Sequence, residues 1–306
     1  MNVLAEPQTT LEVAEAIRDA EAVTIRGSGH FDKFSVRATG TKTIDGQIGT
    51  FSVSQPRPIL SLSKLHGILD FRPEDQVVSV RAGTSIYDLQ NELVQSGLCI
   101  PVVGYYDTYS VLAADVGTVG GTLSMNIPEH LDAEFGTWKD WILGVTVVLA
   151  DGTICKSGSH AVKSVAGYDI HKLMVGARGS LGIVTEVILR LTPEKSVCEP
   201  TLLPNWKRVT GSCGVWIQRT SAEHFEQAFN NSMKFQSTGF PKTNTIWVNL
   251  PLDAELPRFP GDWVIRSGCA DKNVQVTNST QIELMKKAKQ VFDPMNKLNP
   301  GEWGFM

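Results

Sequence analysis

The stretch IRGSGH, residues 25–30, begins at the last residue of the apolar run AVTI (22–25), which itself follows a helical pattern. A helix, a strand and then a polar loop is the order of an α/β unit whose loop lies at the carboxyl end of the strand. Gly27 and Gly29 tolerate positive φ angles and let a ligand approach the backbone, and successive N–H groups in such a turn form a concavity that binds anions. Two interpretations stay open for this loop by itself: a plain tight turn, or a loop that binds phosphate.

The loop matches neither of two common phosphate-binding motifs. No G-x-G-x-x-G occurs here and no long helical pattern follows directly, so it is not a dinucleotide fingerprint of the Rossmann type. No G-K-[ST] follows, so it is not a P-loop.

Two further stretches are dense in glycine: DVGTVGGTLSMN at 115–126 and SVAGYDIHKLMVGARGSLGIVTEV at 164–187. Small residues in the first permit close approach of a planar ring, and its hydroxyl and amide groups offer hydrogen bonds to a polar ligand. Residues 101–127 as a whole are expected to form a long irregular loop, and such loops in compact domains are usually functional.

Composition excludes several classes of protein. The 306-residue chain is 42% hydrophobic with a net charge of −4, which is typical of a globular protein and gives no electrostatic support for nucleic-acid binding. The apolar run WILGVTVVLA at 141–150 is too short to span a bilayer, and the N-terminus lacks the pattern of a signal peptide. A cytoplasmic protein with no transmembrane segment is therefore expected.

The residues that commonly bind metals are scattered. The five cysteines form no C-x-x-C, so neither an iron–sulfur cluster nor a zinc site is expected, and free thiols in a reducing compartment are the simpler interpretation. Five of the histidines lack the spacing of metal ligands and are expected to be surface or satisfied core residues: His66, His130, His160, His171 and His224.

Periodicity predicts helices and strands around the glycine-rich loops. Thr9 and Glu12 have the spacing of a capping box before an apolar stripe of Leu11, Ala14 and Ile17. Further helices are expected at 85–97 and, capped by Asp169, at 169–176. Strands are expected at 58–62, 76–83, 142–150, 153–156 and 181–193.

After about residue 195 the dense glycine pattern stops and charged and amide residues increase. A second region is therefore expected there, with a helix near 222–231 and a strand at 245–250. Thr280 and Glu283 repeat the capping-box spacing before a last helix, and the tail FDPMNKLNPG at 292–301 is turn-rich.

Several segments together resemble the FAD-binding domain of the vanillyl-alcohol oxidase/p-cresol methylhydroxylase family. They are IRGSGH (25–30), VSVRAGTSIYDLQNEL (78–93), GTVGGTLSMN (117–126), DWILGVTVVLADGTI (140–154), KSVAGYDIHKLMVGARGSLGIVTEVILRLTP (163–193) and FDPMNKLNPGE (292–302). Within the family the resemblance is strongest to the smaller FAD-binding subunits of glycolate oxidases, through KLHGILDFRPEDQVVSVRAGT (64–84).

The resemblance implies an α+β fold in three parts. A two-subdomain FAD-binding domain is expected at 1–195, with subdomains at about 1–80 and 81–195. A small α+β cap region is expected at 196–279, and a helix and tail at 280–306 are expected to return to the FAD-binding domain.

The resemblance also implies how FAD is held. The pyrophosphate would be cradled by Ile25, Arg26, Gly27, Ser28, Gly29 and His30. The ribityl chain and flavin ring would be lined by Thr118, Val119, Gly120, Gly121, Ser124 and Asn126, and Gly182 and Ile183 would touch the cofactor through the backbone. Two roles stay open for His30: a hydrogen bond near the phosphates, or covalent attachment of the flavin as in some family members.

The function implied is that of an FAD-dependent oxidoreductase subunit in the oxidation of a 2-hydroxy acid such as glycolate. Its partners would be a second flavoprotein subunit and an iron–sulfur subunit, and it would be cytoplasmic or peripheral at the membrane through them. The H-x-G-D-G-N-like segment with which hydroxy-acid-oxidising relatives bind metal and substrate is absent from the sequence, so no catalytic residue is assigned. Two alternatives stay open: a non-catalytic or electron-relay assembly subunit, and a single-chain FAD reductase of the kind that makes UDP-N-acetylmuramate.

Overall fold

The computed structural model describes residues 3–29, 40–44, 47–51, 57–101, 117–126, 132–160, 169–194, 213–241, 244–251, 254–259, 262–266, 274–276 and 279–302. Helices and strands mix along the chain, which confirms the expected α+β class. In chain order they are β1 (Val3–Ala5), α1 (Thr10–Arg18), β2 (Thr24–Arg26), β3 (Gly40–Ile44), β4 (Gln47–Phe51), β5 (Ile59–Ser61), β6 (Ile68–Arg72), β7 (Val77–Arg81), α2 (Ile86–Val94), β8 (Leu98–Cys99), α3 (Val119–Met125), α4 (Asp132–Phe135), α5 (Trp138–Trp141), β9 (Ile142–Val148), β10 (Ile154–Gly158), α6 (Ile170–Met174), β11 (Ile183–Arg190), β12 (Thr192–Pro193), β13 (Cys213–Arg219), α7 (Phe225–Ser232), β14 (Gln236–Phe240), β15 (Thr245–Pro251), β16 (Trp263–Arg266), β17 (Val274–Val276) and α8 (Ser279–Phe292).

The chain forms two compact units. The first unit comprises Met1–Phe31, Pro56–Glu199 and Ala288–Pro300, and the second comprises Asp32–Gln55, Pro200–Lys287 and Gly301–Met306. The subdomain and cap boundaries expected near residues 80, 195 and 280 stay a prediction.

The first unit contains a small parallel sheet that ends in the first glycine loop. Its strand order is β1-β5-β2, so β2 is an edge strand. Helix α1 begins after Thr9, whose hydroxyl accepts a hydrogen bond from the Glu12 N–H at 3.2 Å. The helix buries Val13, Ala14 and Ile17 in an apolar cluster that includes Leu60 of β5.

The second sheet of this unit has five antiparallel strands in the order β10-β9-β11-β7-β6. Strands β7 and β9 are buried along most of their length and β11 along much of it, as strands covered on both faces are, whereas β10 has no buried residue. Helices α2 and α3 contribute Ile86, Leu89, Leu93, Val119 and Leu123 to the same apolar cluster as this sheet.

The second unit is built on another antiparallel sheet, β14-β15-β13-β16-β17. Helix α7 packs on β14 and β15, and the core includes the fully buried Trp216 with Ile246 and Val248. In the sequence this region showed only a helix near 222–231 and a strand at 245–250, which correspond to α7 and β15.

Two expectations about helices were wrong. The stretch 101–127 is not irregular throughout, because residues 119–125 form α3, capped by the Thr118 hydroxyl. The predicted stripe of α1 is shifted, because Val13 is buried and Leu11 is 56% exposed.

Two expected helix caps also differ. Asp169 precedes α6, but it makes no capping hydrogen bond, and its carboxylate pairs with Lys172 at 3.0 Å instead. Thr280 lies inside α8, which begins one residue earlier at Ser279.

No helix in the described ranges has the length and apolar character needed to cross a membrane.

A buried ion pair fixes the start of the C-terminal tail. The Lys289 ammonium, 6% exposed, donates to Asp293 Oδ2 at 2.5 Å, to the Leu298 carbonyl at 2.8 Å and to the Ser180 carbonyl at 2.9 Å. Burial lowers the pKa of Lys289, and the hydrogen bond to Asp293 opposes that shift. The charged form of Lys289 is therefore stabilised in the core by these three hydrogen-bond acceptors.

Replacing Lys289 with methionine keeps the volume of the side chain and leaves Asp293 as a buried carboxylate without its cation. We expect Lys289→Met to lower the free energy of unfolding by about 3–5 kcal/mol, the usual cost of removing one partner of a buried pair. Urea denaturation of the full chain measures it. Lys287→Met, on an exposed position of the same helix, is the control, and equal effects of the two substitutions would contradict the prediction.

The two cysteines whose thiols the structure describes as free differ in reactivity. Cys99 is fully buried, and burial together with the charge of Glu194 raises its pKa to about 12, whereas Cys155 is partly exposed. At pH 8 iodoacetamide should therefore modify Cys155 and spare Cys99, of which only about one molecule in 10⁴ is thiolate. Peptide mass spectrometry before and after urea unfolding checks this, and native labelling of Cys99 would refute it.

Candidate cofactor site

The first glycine loop follows directly after strand β2. Ile25 pairs in register with Leu60 of β5, and the Arg26 carbonyl accepts a hydrogen bond from the Leu62 N–H at 2.7 Å. The loop begins at Gly27, directly after this last ladder bond. Its starting direction is thus fixed by the parallel sheet.

The loop presents donors suited to a diphosphate. Within the described ranges, the N–H groups of Gly27, Ser28 and Gly29 donate to no protein acceptor. Gly29 has φ +84°, and a methyl group there would overlap the Arg26 guanidinium, so this cation lies against the loop. Adjacent N–H donors beside a guanidinium form the donor set that phosphate oxygens require, and the residues present therefore fit the pyrophosphate of FAD.

The loop lies against the N-terminus of α3. A methyl group added at Gly27 would lie 2.5 Å from Thr118 Oγ1, so only glycine allows this approach. Thr118 Oγ1 in turn accepts a hydrogen bond from the Gly121 N–H at 3.2 Å. The structure thus brings the first and second glycine-rich stretches together at Gly27 and Thr118.

The N–H groups at the start of α3 are used inside the protein. Val119 donates to the Thr84 carbonyl at 2.9 Å, and Gly120 donates to the Ala82 carbonyl at 2.8 Å. A methyl group at Gly120 would come within 2.7 Å of Ala82 Cβ. Packing alone therefore accounts for Gly120, and Val119 is a core residue.

The other end of α3 contacts the third glycine-rich stretch. The Ser124 carbonyl accepts from the Arg178 N–H at 2.9 Å, and Asn126 ends the helix with φ +44°. Gly176 donates to the Leu123 carbonyl at 3.1 Å and has φ +77°. The predicted residues Ser124 and Asn126 therefore lie beside residues 176–178.

Asn299 of the C-terminal tail completes the arrangement. Its Oδ1 accepts from the Ile25 N–H at 2.7 Å, and its Nδ2 donates to the Arg178 carbonyl at 2.7 Å. A closed ring of contacts follows, which we call the loop ring: Ile25, Gly27, Thr118, Ser124, Arg178 and Asn299.

Gly182 and Ile183 are placed by packing on β9. A methyl group at Gly182 would overlap Val147 Cγ1, and Ile183 pairs with Val148 while its side chain is fully buried in the core. Contact of their backbone with the cofactor stays a prediction.

One predicted cofactor residue, His30, lies outside the described residues, as does His130. Three described histidines bind serines of the protein: His160 Nε2 lies 2.8 Å from Ser79 Oγ, His171 Nδ1 lies 3.1 Å from Ser157 Oγ, and His224 Nδ1 lies 2.8 Å from Ser221 Oγ. Burial lowers the pKa of His171. In the described ranges no group of three or more His, Cys, Asp or Glu residues is arranged to hold a metal ion.

Sequence reasoning missed Arg178 and Asn299. Both have positive φ angles, at +53° and +43°, and both are buried. A signal for Asn299 was present, because asparagine before proline in LNPG is typical of a tight turn, but nothing in the pattern indicated which strand it contacts.

Comparison with known proteins agrees with this arrangement. Residues 1–158 match the family described as FAD binding domain. Glycolate oxidase subunit GlcD of Bacillus subtilis (strain 168) is 31% identical over 173 residues, which is 56% of this chain and 34% of that protein. D-lactate dehydrogenase of Anaerostipes hadrus is 29% identical over 202 residues, 66% of this chain and 38% of that protein.

A third relative is matched over a larger share of its own length. Glycolate oxidase subunit GlcE of Escherichia coli (strain K12) is 23% identical over 273 residues, 78% of this chain and 76% of that protein. The chain thus spans about a third of the length of the first two relatives and about three quarters of the last. Since the family model matches more than half of the chain and the residues of the first glycine loop fit a diphosphate, the chain belongs to the FAD binding domain family, of the p-cresol methylhydroxylase type, and its cofactor is FAD.

Proposed function

We propose that this chain is an FAD-binding oxidoreductase subunit that takes part in the oxidation of a 2-hydroxy acid such as glycolate. The observation that carries the proposal is the loop of Gly27 to Gly29, whose N–H groups donate to no acceptor among the described residues and which lies beside the Arg26 guanidinium and against Thr118. Relatives named glycolate oxidase subunits and D-lactate dehydrogenase support the substrate class.

The residues of the first glycine loop and of α3 have separable roles in this proposal. The N–H groups of Gly27, Ser28 and Gly29, with Arg26, bind the diphosphate, since charge-assisted hydrogen bonds are the strongest available there. Thr118 holds the N-terminus of α3 against the loop, and Ser124 and Asn126 face the ribityl and ring portion from the other end of the helix. When bound, FAD supplies a two-electron acceptor for the hydride on the hydroxyl-bearing carbon of the substrate.

Electrons that reach the cofactor must leave through another molecule. No cysteine spacing in the sequence suits an iron–sulfur cluster, so we propose a second flavoprotein subunit and an iron–sulfur subunit as partners. Such a complex would hold the chain in the cytoplasm or peripherally at the membrane.

A second candidate is a non-catalytic or electron-relay assembly subunit. The sequence lacks the H-x-G-D-G-N-like segment of hydroxy-acid-oxidising relatives, and the histidines at 160, 171 and 224 are engaged with serines of the protein. In this case FAD would be bound without direct reduction by a hydroxy acid.

The visible spectrum of the purified chain, before and after anaerobic addition of glycolate or D-lactate, distinguishes the candidates. We expect flavin bands, and bleaching by one of the two acids if the chain oxidises it alone. Bands that do not bleach favour the assembly role, and reduction then requires co-purified partner subunits. No flavin bands after FAD is offered would refute the first candidate and leave an assembly subunit that keeps the fold without FAD.

Gly27→Ala tests the placement of the cofactor loop. The added methyl group would lie 2.5 Å from Thr118 Oγ1 and push the loop away from α3, so we expect the Kd for FAD to rise about tenfold, equivalent to about 1.4 kcal/mol. Flavin fluorescence titration measures it.

A double-mutant cycle controls for unrelated effects of this substitution. Thr118→Ala removes Oγ1 and Cγ2, so the methyl group added at position 27 lies 3.5 Å from the remaining Cβ at position 118, which is an ordinary contact. The loss of FAD affinity in the double variant should therefore be smaller than the sum of the losses in the two single variants. Gly97→Ala, where the added methyl group meets open space, should leave the Kd unchanged. An unchanged Kd in Gly27→Ala would mean that FAD does not bind at this loop.

A further inference from the structure

The C-terminal tail continues the small parallel sheet beyond its edge strand β2. The Val23 N–H donates to the Lys297 carbonyl at 2.9 Å, and the Asn299 N–H donates to the Val23 carbonyl at 3.0 Å, which makes a parallel bridge between Val23 and Leu298. The tail thus acts as a further strand for one step of the ladder.

At the point where the tail leaves the sheet, the side chain of Asn299 replaces a backbone group as the hydrogen-bond partner of β2. Asn299 has φ +43°, which turns the chain away from β2, and the next residue is Pro300, which has no N–H group. The next donor of the edge, the Ile25 N–H, is met by Asn299 Oδ1 at 2.7 Å instead of by a backbone carbonyl. A carboxamide carries both an acceptor and donors, so it can replace a peptide group in a ladder.

The amide is held on its other side as well. Its Nδ2 donates to the Arg178 carbonyl at 2.7 Å, and the side chain is only 3% exposed. Gly179 has φ +67°, and a methyl group there would lie 2.8 Å from Asn299 Nδ2. One orientation of the amide is therefore selected by two hydrogen bonds and by the absence of a side chain at position 179.

We propose that Asn299 is a positioning residue for the cofactor-binding loop, an inference that rests on the proposed function. Its Oδ1 fixes the Ile25 backbone, which lies one residue before Arg26 and two before Gly27. Its Nδ2 couples that backbone to Arg178, whose N–H donates to the Ser124 carbonyl of α3. Loss of the amide would let the end of β2 drift, so the loop would bind FAD with its donors no longer preorganised.

Asn299→Gly is the direct test, because glycine keeps the left-handed backbone and removes both side-chain hydrogen bonds. We expect the Kd for FAD to rise about tenfold in flavin fluorescence titrations of the full chain. Asn296→Gly is the matched control: it is an exposed asparagine of the same tail with φ +53°, and its Kd should stay within about twofold of the wild-type value.

A second variant keeps the test independent of that substitution. Gly179→Ala places a methyl group against Asn299 Nδ2 and should weaken FAD binding in the same direction. Because both changes act through one amide, their effects in the double variant should be clearly less than additive. Full additivity would overturn the inference.

A core substitution that only destabilises the fold separates a positioning role of Asn299 from a general loss of stability. Leu93→Ala removes a fully buried side chain of α2 and should lower the melting temperature of the cofactor-free chain while leaving the Kd for FAD unchanged. A loss of affinity in Asn299→Gly with none in Leu93→Ala supports the inference. Losses proportional to the fall in melting temperature in both variants, or an unchanged Kd in Asn299→Gly, overturn it.

The proposed function fails by a different result, since it requires that the wild-type chain bind FAD at all. A wild-type chain that binds FAD, alongside an unaffected Asn299→Gly variant, overturns only the positioning role.

Discussion

The arrangement of the first unit depends on one buried carboxylate, that of Asp293. It is 1% exposed and accepts hydrogen bonds from the Lys289 ammonium and from the N–H groups of Lys297 and Leu298. These bonds fold the tail back after α8, so that Leu298 and Asn299 reach β2. Because an incompletely satisfied buried charge is costly, the tail has few alternative paths. The Lys297 ammonium adds a further tie to the last carbonyls of α1, those of Ile17 and Arg18.

The glycines of this chain fall into two physical classes, which the sequence pattern does not separate. Gly83, Gly120 and Gly182 have neighbours where a side chain would stand, and a methyl group there would overlap the protein itself. Gly27 and Gly29 also allow close approach, but their N–H groups have no protein acceptor in the described ranges. A dense glycine pattern therefore predicted where backbones approach one another, whereas the N–H donors without an acceptor in the described ranges single out the loop at 27–29, where we propose that the cofactor binds.

Most helices and strands predicted from local signals are present in the structure, although the caps predicted at Asp169 and Thr280 are not, and features that depend on tertiary contacts were missed. Thr9 caps α1 as its spacing to Glu12 indicates, and α2 lies within the predicted range 85–97. Helix α3 was missed because its glycines lower helix propensity, and the close approach of Gly120 to Ala82 overrides that preference. Within the site, the loop at 25–29 and residues 118–126 were predicted to be functional. Asn299 was not, because its partner Ile25 is 274 residues away and no local pattern encodes such a contact.

Strand β2 is only three residues long, and a strand of that length has little stability of its own. It is held on one edge by the ladder to β5 and on the other by the tail and the Asn299 amide. Movement at either edge would be transmitted to Gly27 within two residues. The segment FDPMNKLNPGE, which carries few apolar residues, therefore specifies the site through buried polar contacts rather than through hydrophobic burial. Polar networks of this kind fix one geometry because each unmet group is costly, and a loop that binds through backbone donors requires such a fixed geometry.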